Sequence, residues 1–247
     1  MDTEIKSYKV LPDLFQVSRR AGKAIMDYKM IQPNDKIMVA VSGGKDSISL
    51  LHVLRHRQQV SPVKFEVIAV HIDFEFEDFN PAKLIEYLER EGFPYIVEKV
   101  TSLKGEKWED IDCFWWSKNR RKALFLLAGK LGFNKIAFGH HLDDIAETIL
   151  LNQFYRGEIG AMKPKQELFD GKITIIRPLC YEREESMRAL AEKLNIQSIG
   201  GQSKCANDDT SHRMLIKKML RQMEKDNPQI VKNIFRSLQN IRSEYLL

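Results

Sequence analysis

The sequence predicts an α/β protein, with a parallel five-stranded sheet, helices on both faces and helical additions at both ends. Three observations carry this. Short runs of Val, Ile, Ala and Phe alternate with stretches of helical apolar spacing. Strands alternating with helices of roughly 10–15 residues mean a parallel sheet covered on both sides. The first strand run breaks at Gly43-Gly44 and helical spacing resumes at once, as at a ligand-binding strand-to-helix turn. The length, 247 residues, is enough to bury one large core.

Each element follows from its local pattern. Asp13 is placed to cap a helix through about Tyr28, with Leu14, Val17, Ala21 and Ile25 on one face. Asp35 to Val41 reads as a buried strand, and Ile48, Leu51 and Leu54 open a helix after it. Phe65 to Asp73 is a second strand, Pro81 to Glu91 a helix, and Tyr95 to Val100 a third strand. Ser117 to Leu131 is helical, Lys135 to His140 is a fourth strand, and Asp143 to Tyr155 is helical again. Gly157 to Gly171 reads as the longest loop. Ile173 to Leu179 is the fifth strand, followed by a helix from about Glu184 to Leu194.

From about Asp208 the chain changes character. Leu215, Ile216, Met219, Leu220 and Met223 share a helical face opposite Arg213, Lys217, Arg221 and Lys225. The basic face reads either as solvated or as a surface that follows phosphates. Phe154, Ile159 and Met162 read either as a homodimer patch or as ordinary core.

The composition is that of an ordinary soluble chain, 43% apolar and 30% charged. No apolar run approaches the ~20 residues of a membrane span. The opening MDTEIKSYKV has no apolar signal region, so a cytoplasmic location is expected. Three cysteines in such a chain argue for reduced thiols, a metal site or redox chemistry rather than a disulfide framework. A net charge of +5 permits a polyanionic partner.

The chemistry concentrates at the predicted strand ends. In VAVSGGKDS, Ser42, Gly43 and Gly44 let backbone approach an anion at a helix N-terminus. Lys45 adds a charge and Ser47 a hydroxyl. The spacing is neither G-x-x-x-x-G-K-[ST] nor G-x-G-x-x-G. Val70, His71 and Asp73 close the second strand, where His71 also reads as a structural histidine. GHHLDDIAET closes the fourth with Gly139, His140, His141, Asp143, Asp144, Glu147 and Thr148. Asp143 and Asp144 suit a phosphate-bridging Mg²⁺ as hard oxygen ligands, and either also suits a helix cap. Arg177, in IIRPL, faces phosphate or nucleic acid.

S-G-G-K-D-S in this setting resembles the PP-loop of the ATP pyrophosphatase superfamily (the adenine nucleotide alpha hydrolase-like fold). The resemblance implies ATP held by Ser42, Gly43, Gly44, Lys45, Asp46 and Ser47 and cleaved between its α and β phosphates to adenylylate a substrate. It implies an adenosine cradle at Val70, His71, Asp73, Gly139 and His140, catalytic roles for Lys45, Asp46 and Asp143, and Mg²⁺ on Asp143. The implied organisation is a helical extension over 1–34, the ATP-binding domain over 35–203 and a helical region over 204–247.

GAMKPK, IIRPL, IFRSLQNI, MLRQMEKDNP and the KWEDIDC approach resemble the tRNA 2-thiocytidine synthetase family, over about Leu11 to Ile241. That family implies an adenylylated cytidine in the tRNA anticodon loop, attacked by sulfur that comes from a donor such as a cysteine desulfurase. It also implies a [4Fe–4S] cluster on three cysteines, two of them in C-x-x-C. Cys113 matches the first of that pair, but Trp116 stands at the second. Cys205 matches the late cysteine. Cys180, just after Arg177-Pro178-Leu179, is the one thiol left to complete the set.

Three readings stay open for these thiols: Cys113, Cys180 and Cys205 on a cluster or zinc; Cys113 and Cys205 as a persulfide and resolving pair; or structural cysteines. Trp115 and Trp116 read as core, lid or base-stacking residues. Ser117 to Lys122, with Lys163 and Lys165, are candidate RNA contacts. Two alternative functions remain, a lysidine synthetase-like ligase using an amine, and a nucleotide-binding regulator without turnover.

Overall fold

The computed structural model describes residues 11–75, 80–100, 113–196 and 211–245, with backbone alone for 113 and 114. Eight α-helices and six strands follow in the described residues, with a 3-10 turn at Ser243–Tyr245. In order they are α1 (Pro12–Asp27), β1 (Lys36–Ala40), α2 (Lys45–Val60), β2 (Glu66–Asp73), α3 (Ala82–Arg90), β3 (Tyr95–Lys99) and α4 (Cys113–Leu131). Then come β4 (Lys135–Ala137), α5 (Leu142–Arg156), β5 (Lys165–Leu168), β6 (Ile173–Ile176), α6 (Glu184–Lys193), α7 (His212–Asp226) and α8 (Ile230–Ser237).

The sheet order is β3-β2-β1-β4-β6-β5. The first five of these strands run parallel, with Val39 of β1 opposite Ala69 of β2 and Ala137 of β4. The chain runs outward from β1 through β2 to β3, then returns to β1's other side at β4. That reversal opens a crevice at the carboxyl ends of β1 and β4, where such sheets bind ligands.

The five parallel strands are those read from the sequence, and a sixth joins them. β5 lies inside the expected loop and pairs antiparallel with β6. Its turn carries Asp170 at φ 55° and Gly171 at φ 82°, the left-handed pair of a tight hairpin. The Asp-Gly dipeptide was a legible signal. The run Lys165-Gln166-Glu167-Leu168 hid the strand, because an edge strand needs no apolar face on its outer side.

Helix ends also shift. α1 starts with Pro12 in its first turn, and Leu11 rather than Asp13 is the residue before it. α4 starts at Cys113, a turn earlier than the expected Ser117. The C-terminal region forms two helices. In α7 the buried apolar face narrows to Ile216 and Leu220, with Leu215 and Met223 exposed.

Two cores cover the sheet. One packs α1, α2, α3 and α6 against it, with Leu14, Leu51, Tyr87 and Met187 among its members. The other lies beneath α4, with Leu124, Leu127 and Ala128 against Met38, Ile136 and Ile175. α7 and α8 dock on α5 through Ile216, Leu220 and Val231. No described helix is long and apolar enough to cross a membrane.

Candidate active site

The loop between β1 and α2 is built around an anion. Gly43 has φ 81°, a left-handed conformation that favours glycine. Gly44 precedes the helix with extended backbone, and no side chain caps it. The first-turn N–H groups of α2 therefore face outward, with the positive end of its dipole. Ser47 donates its hydroxyl to the Gly44 carbonyl at 2.9 Å and accepts from the Ser42 N–H at 3.2 Å, which holds the loop closed. Lys45 Nζ lies 2.8 Å from Asp46 Oδ2. Asp46 Oδ1 is buried and has no hydrogen-bond partner among the described residues. A loop of this shape fits a polyphosphate. An orphaned carboxylate oxygen beside it fits the hard cation that accompanies one.

The neighbouring strand ends meet this loop. The Val70 carbonyl accepts from Val41 N–H at 2.8 Å. His71 Nδ1 donates to the Val41 carbonyl at 2.9 Å, so this histidine ties β2 to the root of the loop. Asp73 Oδ1 accepts from Glu75 N–H at 2.8 Å and shapes the exit from β2. At β4's end, a Cβ on Gly139 would lie 2.9 Å from backbone atoms of Asp46. Next to it His140 stacks on Phe138, and its Nδ1 accepts from Arg177 Nε at 3.3 Å. Burial is the first cause that pushes the His140 imidazole down to about 4. Arg177, Arg213 and Arg120 add to it, and Asp144 opposes. His140 is therefore neutral at pH 7.

Asp143 is held between two helices. Its Oδ1 accepts from Arg183 Nε at 3.0 Å and its Oδ2 accepts from the Glu184 N–H at 2.7 Å. Both oxygens are engaged, and the carboxylate caps α6 and fastens it to α5. Asp144 and His141 form a capping box at the start of α5. The helix-cap reading of the paired aspartates is the one the geometry shows.

Part of the basic face of α7 is paired. Arg213 pairs with Asp144 and with Glu147, both at 2.8 Å, and Lys217 pairs with Glu184 at 2.8 Å. Arg183 bridges Asp143 to Glu224 on α7. Arg213 and Lys217 are thus engaged by carboxylates, while Arg221 is more exposed and lies 3.7 Å from Glu184. Sequence reasoning missed Arg183, Glu184 and Glu224 as partners. Its only signal was the i,i+4 spacing of Asp143 and Glu147, which puts two carboxylates on one helical face. Lys45 is near enough to help lower the Glu184 carboxyl, so this network borders the loop.

Of the three cysteines, only Cys180 has a described side chain. Cys180 is fully buried in the core beneath α1, α2 and α6, with Asp27 and Glu182 among the charges that act on it. Burial is the main cause that pushes its thiol up to about 12. α4, which begins at Cys113, covers the opposite face of the sheet. Cys180 is therefore a core thiol, on the sheet face away from α4. Trp116 packs into the α4 core, its ring 4.7 Å from Phe74. Cys205 lies outside the described residues, as does the KWEDI approach. Among the described residues no group of three His, Cys, Asp or Glu side chains forms a metal site.

Of the candidate RNA contacts, Lys118, Arg121, Lys122 and Lys163 are exposed, whereas Arg120 is half-buried and Lys165 pairs with Glu167 at 3.0 Å. Phe154 and Ile159 are exposed, and Met162 packs on the core.

A family model described as a PP-loop domain matches residues 14–224. The tRNA-cytidine(32) 2-sulfurtransferase of Alcanivorax borkumensis is 42% identical over 235 residues, covering 94% of this chain and 82% of its own. The enzyme of that name from Geobacter sulfurreducens is 36% identical, over 94% of this chain and 92% of its own. Among solved structures, the U34-tRNA thiolase NcsA from Methanococcus maripaludis, with its [4Fe–4S] cluster, shares the fold. Its TM-score is 0.76 at 22% identity, with 95% of this chain and 80% of that one covered.

Proposed function

This chain belongs to the PP-loop family that includes the tRNA-cytidine 2-sulfurtransferases, and from that membership we infer that it thiolates a cytidine of tRNA at the expense of ATP. Position 32, the position in the relatives' names, is the expected target. The observation that carries the reading is the loop from Ser42 to Ser47, with Gly43 left-handed and the N-terminus of α2 aimed outward.

The residues divide the work by position. The N–H groups of the loop and Lys45 hold the β and γ phosphates. Asp46 Oδ1 is the oxygen we assign to Mg²⁺, which would supply positive charge to the phosphates when bound. Neutral His140, held by Arg177, contributes orientation rather than charge. The cytidine O2 bonds to the α-phosphorus as the bond to the β-phosphate breaks, and its electron pair leaves with pyrophosphate. Sulfur then adds at C2, and the C–O bond breaks with release of AMP. The target base must leave its stack for either step.

Cys113 and Cys205 are the thiols we assign to sulfur handling. An iron–sulfur cluster would take those two as its thiolates and supply a site for incoming sulfide, though two are fewer than the usual protein set. The sulfur donor we propose is a cysteine desulfurase, and the location the cytoplasm. A homodimer through exposed Phe154 and Ile159 is proposed on that exposure alone.

The test is reconstitution with tRNA, ATP, Mg²⁺ and sulfide, followed by nucleoside mass spectrometry. The expected products are 2-thiocytidine, AMP and pyrophosphate. Pyrophosphate release that survives loss of both Cys113 and Cys205, with an amine attached to the base, would mean a lysidine-type ligase. ATP bound without any cleavage in the presence of tRNA would mean a regulator.

A further inference from the structure

Tyr155 and His212 lie ring on ring, with centroids 3.9 Å apart and planes 13° from parallel. Other exposed rings meet their neighbours edge-on: Phe15 meets His56 at 78° and Phe169 meets Phe125 at 77°. Both members of the flat pair are exposed, Tyr155 to 47%. Each covers one face of the other, and the exposed remainder leaves the stack open to a third planar group.

Two helix ends hold the pair in place. Tyr155 stands in the last turn of α5, which ends at left-handed Gly157. His212 is the first residue of α7, capped by Ser211, whose hydroxyl accepts from the Met214 N–H at 3.3 Å. Leu150, Ile216 and Leu220 join the two helices in one core. The loop beyond Tyr155 is fastened by Asn152 Nδ2, which donates to the Gly160 carbonyl at 2.9 Å. The flat surface is therefore preorganised by packing and capping.

Both segments lead back to the candidate active site. Arg213, beside His212, pairs with Asp144 and Glu147 at 2.8 Å, and Asp144 accepts from the His141 N–H at 2.9 Å. Past Tyr155, the Lys163 carbonyl accepts from Arg177, which also holds His140. Along α5, Tyr155 is eleven residues, about 16 Å, from Asp144. Arg156 and Lys163 are exposed, with Glu158 the one acid between them.

On the tRNA reading above, we propose that Tyr155 and His212 form a stacking platform for one unpaired base of the substrate RNA, in the loop that carries the target cytidine. Bases in RNA loops are splayed apart, and every base has a flat face that an aromatic ring can cover. The target base must leave its stack to react. A second base fixed about 16 Å from the site, with Arg156 and Lys163 near its phosphates, sets where the loop lies and so which base reaches the chemistry. Exposed Phe154 and Ile159 nearby belong to the homodimer reading, which the test separates from this one.

The experiment is tRNA binding against salt, with steady-state thiolation, for the full chain and for Tyr155→Ala, Tyr155→Leu, Tyr155→Phe and His212→Ala. The alanine and leucine variants should weaken tRNA by roughly tenfold, the loss of one base stack, with ATP affinity unchanged. The salt slope of the Tyr155 variants should hold, because no phosphate contact is lost. KM for tRNA should rise by a similar factor while kcat at saturating tRNA stays as in the parent. Tyr155→Phe should match the parent. An abasic nucleotide moved through the loop should weaken parent binding at one position, and Tyr155→Ala should lose nothing more there. Parent affinity in Tyr155→Ala and His212→Ala overturns the platform. Parent affinity in Tyr155→Leu makes the contact apolar rather than stacked and overturns it too. A smaller salt slope in Tyr155→Ala assigns the site to phosphate. A dimer that Tyr155→Ala dissociates in sedimentation, with tRNA affinity intact, assigns it to a second copy. Either result overturns the proposal. A parent that binds no tRNA would sink the tRNA reading and the platform with it.

Discussion

Gly139 and Asp46 touch backbone to backbone: a Cβ built on Gly139 would lie 2.9 Å from the Asp46 carbonyl carbon and oxygen. The end of β4 therefore rests directly on the first turn of α2, and the phosphate loop takes its position from that contact. Gly139→Ala should leave the sheet intact but push this turn outward. Overpacking of this kind costs about 1–3 kcal/mol. Because small displacements in a site are amplified in rate, pyrophosphate release should fall by roughly 10- to 100-fold. Wild-type turnover in the alanine variant would show that the loop does not depend on β4 for its place.

Asp46 and Asp143 should separate cleanly. Asp143→Ala leaves Arg183 without one of its two carboxylates and α6 without its cap. Arg183 is partly solvated, so the expected loss is about 1–3 kcal/mol in chemical denaturation, with the Mg²⁺ requirement of ATP cleavage unchanged. Asp46→Asn should do the reverse, raising the Mg²⁺ concentration for half-maximal pyrophosphate release while stability holds. A shifted Mg²⁺ requirement in the Asp143 variant would return that residue to the metal.

Cys180 should behave as packing. Cys180→Ala is expected to cost about 1 kcal/mol and to keep thiolation, together with any iron that the parent carries. Cys113→Ser and Cys205→Ser should abolish 2-thiocytidine formation. Loss of iron or of thiolation in a folded Cys180→Ala protein would restore the three-thiolate arrangement.

Acid should loosen the fold before its carboxylates titrate. His52 is 2% exposed and bonded to Tyr87 at 2.6 Å, and burial, helped by Arg55, pushes its imidazole down to about 3. The unfolded chain takes up a proton near the ordinary value of about 6.5, while the folded chain does not. Stability is therefore lost as pH falls below about 6.5, by about 2 kcal/mol between pH 7 and 5 for one such group. His140, His56 and His71 shift in the same direction. His52→Asn should flatten, without removing, the fall of melting temperature over that interval. An equally steep fall would show that His52 is protonated in the fold.

The sequence by itself determined the five parallel strands, the helices between them and the phosphate loop. Each of these is written in neighbouring residues: apolar runs, helical spacing, and Gly43-Gly44 between a strand and a helix. It also showed the two cysteines matched by the family's pattern and Trp116 in place of a third. Tertiary structure alone decided where charges and thiols end up. Asp143 stands at a strand end, where the sequence suggests a metal ligand or a helix cap. Arg183, 40 residues on, claims it because α6 starts beside α5. Arg213 and Lys217 looked like a free basic face until α7 docked on α5 and brought them to Asp144, Glu147 and Glu184. Arg120 looked like one of four surface cations until the packing of Leu124 and Trp116 turned its side of α4 inward. Cys180 follows an active strand end, yet the chain there turns into the core under α1. Charge pairing and burial act across space between segments far apart in sequence, so no local pattern records them.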